Sequence, residues 1–362
     1  MKEERKRILK LVKEGKLTVE EALSLIETLE DEKGEKMKKV NLSKEDHFQE
    51  HFYEEAKPKQ SSVGAKLTEW IDTAVKKVKE LDIDVAFGSY LDVHHVYQFS
   101  ALQLNELDID IPYGSVNVKP WNESDVRVEC DAKVYRVNSM EEARKVFLSN
   151  AECYPEGNRL VMRTEKKGMK INLTFHVPQK VYEKAKFKLF SGTIRGENLS
   201  LKDLKAKTAN GVISFTGLFG EKADFETANG QIKLAHHHMK RVEAETINGM
   251  IDVSGESERL DLQSFSGNIL VHELSPASTA IFAKTATGSI ELQLPPQVAV
   301  SGEIKTNLGA LHPHLNQMEI VSEKNETIQK ELRFRANAAE EGQLTVFGET
   351  KTGSVTVKHM LR

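Results

Sequence analysis

Three consecutive histidines, His236, His237 and His238, are the side chains in this 362-residue sequence best suited to bind a metal ion. Neighbouring residues of a β-strand point to opposite faces, so at most two of these imidazoles could share one ion. A closed zinc site needs four ligands, and no Asp or Cys follows at a tetrahedral spacing. We therefore interpret the histidines as part of a polar turn, and we expect neither a metal site nor a bound cofactor.

The sequence contains no recognisable catalytic motif. A nucleophile motif, a phosphate-binding loop and a dinucleotide fingerprint are all missing. Enzymes that cleave polysaccharides need carboxylates clustered on one face. The residues that follow successive glycines at the same place are instead chemically mixed: Ser214, Lys233, Asp252 and Glu291. The sequence therefore predicts a protein that is not an enzyme.

Charge and aromatic content do not favour nucleic-acid binding. The formal net charge is −4, and basic residues are interleaved with acidic ones throughout the second half of the chain. Four phenylalanines, at positions 187, 190, 215 and 225, occupy inward or corner positions of the pattern, so we expect them in the core rather than stacked on bases. We interpret the two cysteines, Cys130 and Cys153, as reduced thiols, and one disulfide between them is the alternative.

An internal repeat organises most of the chain. The motif Thr-x-Asn-Gly occurs three times at a separation of 19 residues, and looser copies surround Gly192, Gly267, Gly288, Gly309 and Gly353. The nine motif residues are Thr208, Asn210, Gly211, Thr227, Asn229, Gly230, Thr246, Asn248 and Gly249. The turn by itself explains the presence of Asn and Gly, so we interpret these residues as turn formers rather than ligands.

Each repeat predicts a strand, a turn and a second strand. Apolar residues alternate with polar ones on both sides of each glycine, as in strands with one buried face. A unit of about 19 residues cannot bury its own core, but stacked units would place Ile213 over Ile232 over Ile251. The expected fold is mainly β, a parallel β-helix or β-solenoid. We also expect the three asparagines to form a hydrogen-bonded ladder, and the glycines to supply a positive φ.

The first 32 residues predict two short helices. Thr18 and Glu21 form a capping box, and Leu25, Ile26 and Leu29 lie on one helical stripe. Such a hairpin is too small to stand alone, so we expect it to bind a second copy of the chain or a protein partner. Residues 33–64 are rich in charge and poor in apolar side chains, which is typical of a flexible linker.

Residues 65–81 predict an amphipathic helix with an apolar stripe that includes Trp70, Ile71 and Val75. Nearby lysines and the tryptophan would suit contact with a membrane surface. A solenoid also needs a cover over its open N-terminal end, where strand edges and core would otherwise be exposed. We favour the capping helix and keep peripheral membrane contact as the alternative.

Residues 82–362 make up the predicted solenoid. Ser139 and Glu142 form a second capping box and predict a helix over residues 139–150, inserted between coils. After Gly309 the pattern weakens into longer strands. The repeat signature returns in residues 342–357, which we expect to end the sheet.

Both ends of the chain resemble one known family. The run from Leu11 to Leu23 is similar to the SHOCT-like module of YvlB/LiaX-type proteins of Gram-positive bacteria, and the Thr-Ala-Asn-Gly repeats resemble their adhesin-like DUF4097 domain. The resemblance implies a non-enzymatic role in the response to envelope damage by antimicrobial peptides, beside a membrane-embedded stress regulator. It carries no catalytic residue over to this chain.

Location and function stay open between two alternatives. The sequence shows no signal peptide and no run of about 18 apolar residues, which favours the cytoplasm, whereas the resemblance implies a place at the membrane periphery or cell envelope. The first functional hypothesis is a regulatory protein whose solenoid is an interaction surface. The second is an adhesive solenoid that binds cell-wall glycan, which would need an exposed aromatic or carboxylate strip.

Overall fold

The computed structural model describes residues 89–100, 103–164, 168–326, 329–337 and 343–360. The predicted helices of residues 1–32 and 65–81, and the linker between them, lie outside these ranges. Within them the chain forms one helix and nineteen strands: β1 Tyr90–Phe99, β2 Glu106–Trp121, β3 Val126–Tyr135, α1 Met140–Asn150, β4 Ala151–Glu156, β5 Arg159–Thr164, β6 Met169–Pro178, β7 Val181–Asn210, β8 Ile213–Asn229, β9 Ile232–Asn248, β10 Ile251–Ser266, β11 Ile269–Glu273, β12 Ala280–Thr287, β13 Ile290–Leu294, β14 Ala299–Leu308, β15 Leu311–His314, β16 Met318–Asn325, β17 Lys330–Ala336, β18 Gln343–Thr352 and β19 Val355–His359.

The central part is a parallel β-solenoid, which confirms the predicted fold class. Strands β7, β8, β9 and β10 pair in parallel in sequence order, one coil on the next. Ile213 pairs with Ile232, and Ile232 pairs with Ile251, in the predicted register. All three side chains are fully buried, because each coil covers the apolar row of the coil before it.

The N-terminal coils do not stack in sequence order. Strand β2 pairs in parallel with β6 on one side and with β7 on the other, so the earliest complete coil lies inside the stack. Beyond it, β3 pairs antiparallel with β6, and β1 pairs antiparallel with β3. Among the described residues, the N-terminal end is therefore formed by antiparallel strands rather than by another coil.

Helix α1 lies at this end and connects β3 to β4. Ser139 is its N-cap: the Glu142 N–H donates to Ser139 Oγ, and the Asn138 N–H donates to the Glu142 carboxylate. The stripe of Ala143 and Phe147 is fully buried. The helix therefore covers part of the core at the N-terminal end, where we had expected only an insertion between coils.

The C-terminal segment corrects our expectation that residues 342–357 end the sheet. Strands β18 and β19 lie between two earlier coils, pairing in parallel with β12 and β13 on one side and with β14 and β15 on the other. The β16–β17 hairpin pairs antiparallel with β14 instead and closes this end. The prediction was wrong because the repeat signature fits any coil and does not encode the order of stacking.

The reason for the motif glycines also differs from our expectation. Left-handed φ values occur at Gly192 and Gly267, but not at Gly211, Gly230 or Gly249. At these three positions a Cβ atom would collide with the carbonyl oxygen of the glycine one coil earlier. The close approach of stacked backbones, rather than a positive φ, therefore requires glycine there.

Candidate interaction surface

The threonines of the repeat hold successive coils together from inside. Thr208, Thr227 and Thr246 are nearly or fully buried, and each hydroxyl donates to the carbonyl oxygen of the motif glycine one coil earlier, at 3.1–3.2 Å. Thr285, Thr350 and Thr306 make the same bond in later coils. This row satisfies carbonyl groups that would otherwise face the core, and it is closed to ligands.

The asparagines of the repeat form an exposed ladder. Asn229 Nδ2 donates to Asn210 Oδ1, and Asn248 Nδ2 donates to Asn229 Oδ1, both at 3.0 Å. The three side chains lie at a solvent-exposed corner of the solenoid. They can therefore contact a partner, although their amides already satisfy one another.

An apolar row runs beside this ladder, two residues before each motif glycine. Phe190, Ala209, Ala228, Ile247 and Phe265 occupy the position in successive coils, and Phe265 is 53% exposed. Ala209 and Ala228 are buried and have small side chains, so the surface is lower at the centre of the row than at its two ends, where the side chains are larger. We had expected Phe190 in the core, but it is only half-buried and contacts Tyr113 edge-to-face at 5.8 Å. Its repeat position, shared with Phe265, is the signal that would have revealed this row.

Charged side chains form a band on the other side of the apolar row. Lys205 pairs with Asp224 at 3.8 Å, and Lys207 pairs with Glu226 across the same two coils. Further along, Arg241 bridges Glu243 and Asp261 at 2.9 and 3.1 Å. We call the Asn ladder, the apolar row and this band on β7–β10 the repeat face.

Burial and mutual repulsion perturb the carboxylates of the band. The pKa of Glu245 is raised to about 7, first by loss of solvation and then by the negative charges of Glu226, Asp224 and Glu243. The pKa of Asp224 is raised as well, again chiefly by burial. A cation or a hydrogen-bond donor brought by a partner would relieve this repulsion.

The outward row predicted after the glycines exists, but its chemistry is mixed. Ser214 pairs with Lys233, and Lys233 pairs with Asp252. Leu270 lies between Asp252 and Glu291 in the next two coils. No single charge dominates these positions, so this face is less suited than the repeat face to select one ligand.

The three histidines diverge, but they lie within strand β9 rather than in the polar turn that we expected, because a local irregularity at His236 changes the direction of the side chains. His236 adopts a left-handed φ of 53° and is exposed, whereas His238 points outward and pairs with Glu256 at 2.9 Å. His237 is buried. Among the described residues, no group of three or more His, Cys, Asp or Glu side chains is placed to hold a metal ion.

His237 belongs to a buried polar cluster that the sequence did not reveal. Its Nδ1 donates to the Ser254 carbonyl oxygen at 3.0 Å, and its Nε2 lies 2.6 Å from Ser257 Oγ. The Glu273 carboxylate accepts from the backbone N–H groups of Ser257 and Ser275 at 3.0 and 2.9 Å. Three of these contacts join residues 16 to 20 positions apart, and only the bond between Ser275 and Glu273 is local. The histidine contacts lie at a register shift between β9 and β10 at Ser254 and Gly255.

Burial sets the protonation states in this cluster. It lowers the pKa of His237 to about 4, and it raises the pKa of Glu273 to about 7. A serine hydroxyl beside a neutral imidazole is the arrangement of an activated nucleophile. Ser257 and His237 are only 2% and 3% exposed, however, so a substrate cannot reach them. We therefore interpret the cluster as a structural network.

The remaining predicted contact residues lie outside the described part of the chain: Leu25, Ile26, Leu29, Trp70, Ile71 and Val75. The two cysteines are free, and Cys130 is buried. No helix in the described ranges is long and apolar enough to span a membrane.

Comparison with known proteins places the chain among its relatives. A family described as Toastrack DUF4097 matches residues 104–346, and a SHOCT-like domain matches residues 3–34. The uncharacterized protein YvlB of Bacillus subtilis is 50% identical over the full length of both chains.

Solved structures show lower similarity. A "putative adhesin" from Bacteroides fragilis is 13% identical, with a TM-score of 0.43 over 74% of this chain and 97% of its own. A "putative lipid binding protein" from Parabacteroides distasonis is 11% identical, with a TM-score of 0.41 over the same shares. The family match over more than half of the sequence and the full-length relative confirm the resemblance seen in the repeats, and the chain belongs to the Toastrack DUF4097 family, with a SHOCT-like domain at its N-terminus.

Proposed function

We propose that this protein is a non-enzymatic regulatory protein of the cell-envelope stress response, and that the repeat face is its interaction surface. The observation that carries the proposal is the repeat face itself. It combines an exposed phenylalanine, a low apolar row and a band of half-buried carboxylates over four consecutive coils. Such a surface offers a central apolar contact with a polar rim, as protein interfaces do.

The N-terminal module supplies the second part of the proposal. The SHOCT-like domain of residues 3–34 is too small to bury a core of its own. We propose that it associates with a second copy of the chain or with a membrane-embedded stress regulator. The solenoid then brings the repeat face to the same partner. Two weak contacts made by one chain give a higher overall affinity than either contact alone.

A photo-crosslinking amino acid at position 265 of the full-length protein tests the repeat face. In bacteria treated with an envelope-damaging peptide, we expect crosslinks to one membrane protein, and we expect them to weaken when Leu25 and Leu29 are changed to Asp. The same crosslinker at Glu319, an exposed position on β16, is the matched control. Crosslinks of equal yield at both positions would contradict the proposal.

A second candidate function is glycan binding by an adhesive solenoid. Phe265 favours it, because an exposed aromatic ring on a regular β-face can stack on a sugar ring. Binding of purified cell-wall glycan that is lost in Phe265→Ala, and that survives Leu25→Asp with Leu29→Asp, would support this function over the regulatory one.

A further inference from the structure

The N-terminal end of the solenoid is only partly covered by α1. The inner stripe of α1 is buried, and Tyr97 Oη beneath it donates to the Ala151 carbonyl oxygen at 3.0 Å. On the outer side, Met140 is 56% exposed and Leu148 is 48% exposed, two turns apart. The outer side of this 11-residue helix therefore offers two separate apolar contacts on which a further element could pack.

The neighbouring strand β1 is also incompletely buried. In its inner row Val93 is buried, but the apolar residues towards the two ends of the strand, Leu91, Tyr97 and Phe99, are only half-buried. Their register partners on β3 are Val134, Val128 and Val126, and these are fully buried. The apolar row therefore loses its cover at the last strand. Val96 and Tyr90, on the outer side of β1, are 47% and 43% exposed.

The opposite end of the solenoid is protected differently. The outermost strand there, β16, has a bulge between Ile320 and Ser322 and carries charged residues at positions 319, 323 and 324. Bulges and charges are devices that discourage a further strand from pairing with an edge. Strand β1 pairs with β3 over ten residues without a register shift, and it contains neither lysine nor proline. The N-terminal end is thus the end that needs a separate cover.

The chain reaches this end from a segment that can cover it. Eight peptide units separate Leu81 from Ser89, and they can span up to about 26 Å. The Arg136 N–H donates to the Ser89 carbonyl oxygen at 3.2 Å, and Arg136 lies four residues before Met140. Residues 67–81 can therefore reach α1, which is about 16 Å long. Seven apolar residues of the segment recur at helical spacing: Leu67, Trp70, Ile71, Ala74, Val75, Val78 and Leu81.

Charges of both signs on the two surfaces permit this contact. Helix α1 exposes Glu141 and Glu142 together with Arg144 and Lys145, and residues 67–81 carry acidic side chains as well as three lysines. We propose that residues 67–81 form a helix that docks on the N-terminal end of the solenoid, with its apolar stripe on Met140 and Leu148 and beside the free edge of β1. While docked, this stripe is withheld from any membrane surface or second copy.

Trp70 reports on the docking directly. In full-length protein carrying Trp121→Phe, Trp70 is the only tryptophan. We expect emission at short wavelength and slow quenching by acrylamide. Leu148→Asp, at an exposed position that leaves the fold intact, should shift the emission to longer wavelength and increase quenching. Phe265→Asp, which changes an equally exposed apolar residue far along the solenoid, should leave both unchanged.

Three outcomes would overturn the proposal. In the protein that carries only Trp121→Phe, Trp70 could already be fully accessible to acrylamide, and its emission and quenching could stay the same after Leu148→Asp. Its protection could grow with protein concentration, which would assign the stripe to a second copy. Its protection could require vesicles of phosphatidylglycerol, which would assign it to a membrane. Hydrogen exchange is the second measurement: docking predicts faster exchange of the α1 amides after Ile71→Asp, and unchanged exchange contradicts it.

Discussion

At the scale of single residues, Glu273 shows how the interior of a solenoid can hold an ionisable group. Its Oε1 accepts two backbone N–H donors, while its Oε2 has no hydrogen-bond partner among the described residues. Burial favours the neutral acid, whose pKa rises from 4.5 to about 7. The imidazole of His237 is neutral for the same reason. The carboxylic acid of Glu273 and the imidazole of His237, both held neutral by burial, thus lie in one buried cluster.

The raised pKa of Glu273 predicts a pH-dependent stability. A group with a raised folded pKa stabilises the fold fully below its unfolded pKa, and this contribution is lost as pH rises from 4.5 through about 7. The loss amounts to about 3 kcal/mol of unfolding free energy. Glu273→Gln cannot ionise, so we expect its stability to gain on that of the wild type as pH rises from 5 to 8. Thermal unfolding at each pH measures this difference.

The control for this experiment is Glu291→Gln. The pKa of Glu291 is lowered from 4.5, first by a hydrogen bond from Lys358. Its contribution to the free energy of unfolding is therefore fully present above its ordinary pKa. The difference between this variant and the wild type should stay constant from pH 5 to 8. A constant difference for Glu273→Gln as well would show that Glu273 is ionised throughout.

Stacked core residues should matter more than the exposed ladder. Ile251→Asp would place an unpaired charge between two coils, which we expect to cost several kcal/mol. Asn229→Ala removes two exposed amide hydrogen bonds and should cost about 1 kcal/mol. Urea unfolding of the two variants measures the contrast. Equal, small losses would mean that the observed register does not dominate stability.

At the scale of elements, the motif turn depends on how closely two coils approach. A Cβ on Gly230 would collide with the Gly211 carbonyl oxygen, and neither backbone can move without breaking the strand pairing on both sides. Gly157 differs: its φ is +62°, but an added Cβ would meet empty space. A comparison of these two positions therefore distinguishes a steric collision, at Gly230, from backbone strain, at Gly157.

This contrast yields a paired prediction. Gly230→Ala should cost more than 3 kcal/mol, roughly the upper end of overpacking effects, because the coils must separate. Gly157→Ala should cost about 1–2 kcal/mol, the price of a left-handed conformation for alanine. Chemical unfolding of both variants tests the order. A larger loss for Gly157→Ala would contradict the close approach of the coils.

The elements also show what the sequence could and could not predict. The Thr, Asn and Gly rows and the stack of Ile213, Ile232 and Ile251 follow from a 19-residue period, because a parallel register repeats local information. The contacts of His237 required a register shift that no periodic pattern reveals. The burial of β18 inside the stack was equally hidden, since Thr350 and Gly353 match the signature of every other coil.

At the scale of the whole molecule, the insertion of β18 and β19 ties the C-terminal residues to the interior of the stack. Thr350 Oγ1 donates to the Gly288 carbonyl oxygen, and Thr306 Oγ1 donates to the Gly353 carbonyl oxygen, both at 2.9 Å. The last coil, β14 and β15, therefore touches the rest of the solenoid mainly through β18 and β19, a segment that follows it in the chain. Its folding must await that segment.

This arrangement predicts a local rather than a global response to Val355→Asp. Val355 is fully buried between Ile290 and Leu311 in the neighbouring coils. In a solenoid each coil contacts only its neighbours. Hydrogen exchange should therefore accelerate in β13 and β15 and stay slow in β8 and β9. Acceleration in all four strands would show that the solenoid unfolds as one unit.

The stacking of the motif turns has a further consequence for chemical ageing. An Asn-Gly pair deamidates when the glycine nitrogen attacks the asparagine side-chain carbonyl carbon, expels ammonia and leaves a succinimide that hydrolyses to isoaspartate. In this solenoid the nitrogens of Gly211, Gly230 and Gly249 each donate to a carbonyl oxygen of the next coil at 2.9–3.0 Å. The attack must wait until neighbouring coils separate. Isoaspartate at Asn210, Asn229 and Asn248 would therefore record how often, over the lifetime of the molecule, its coils have come apart.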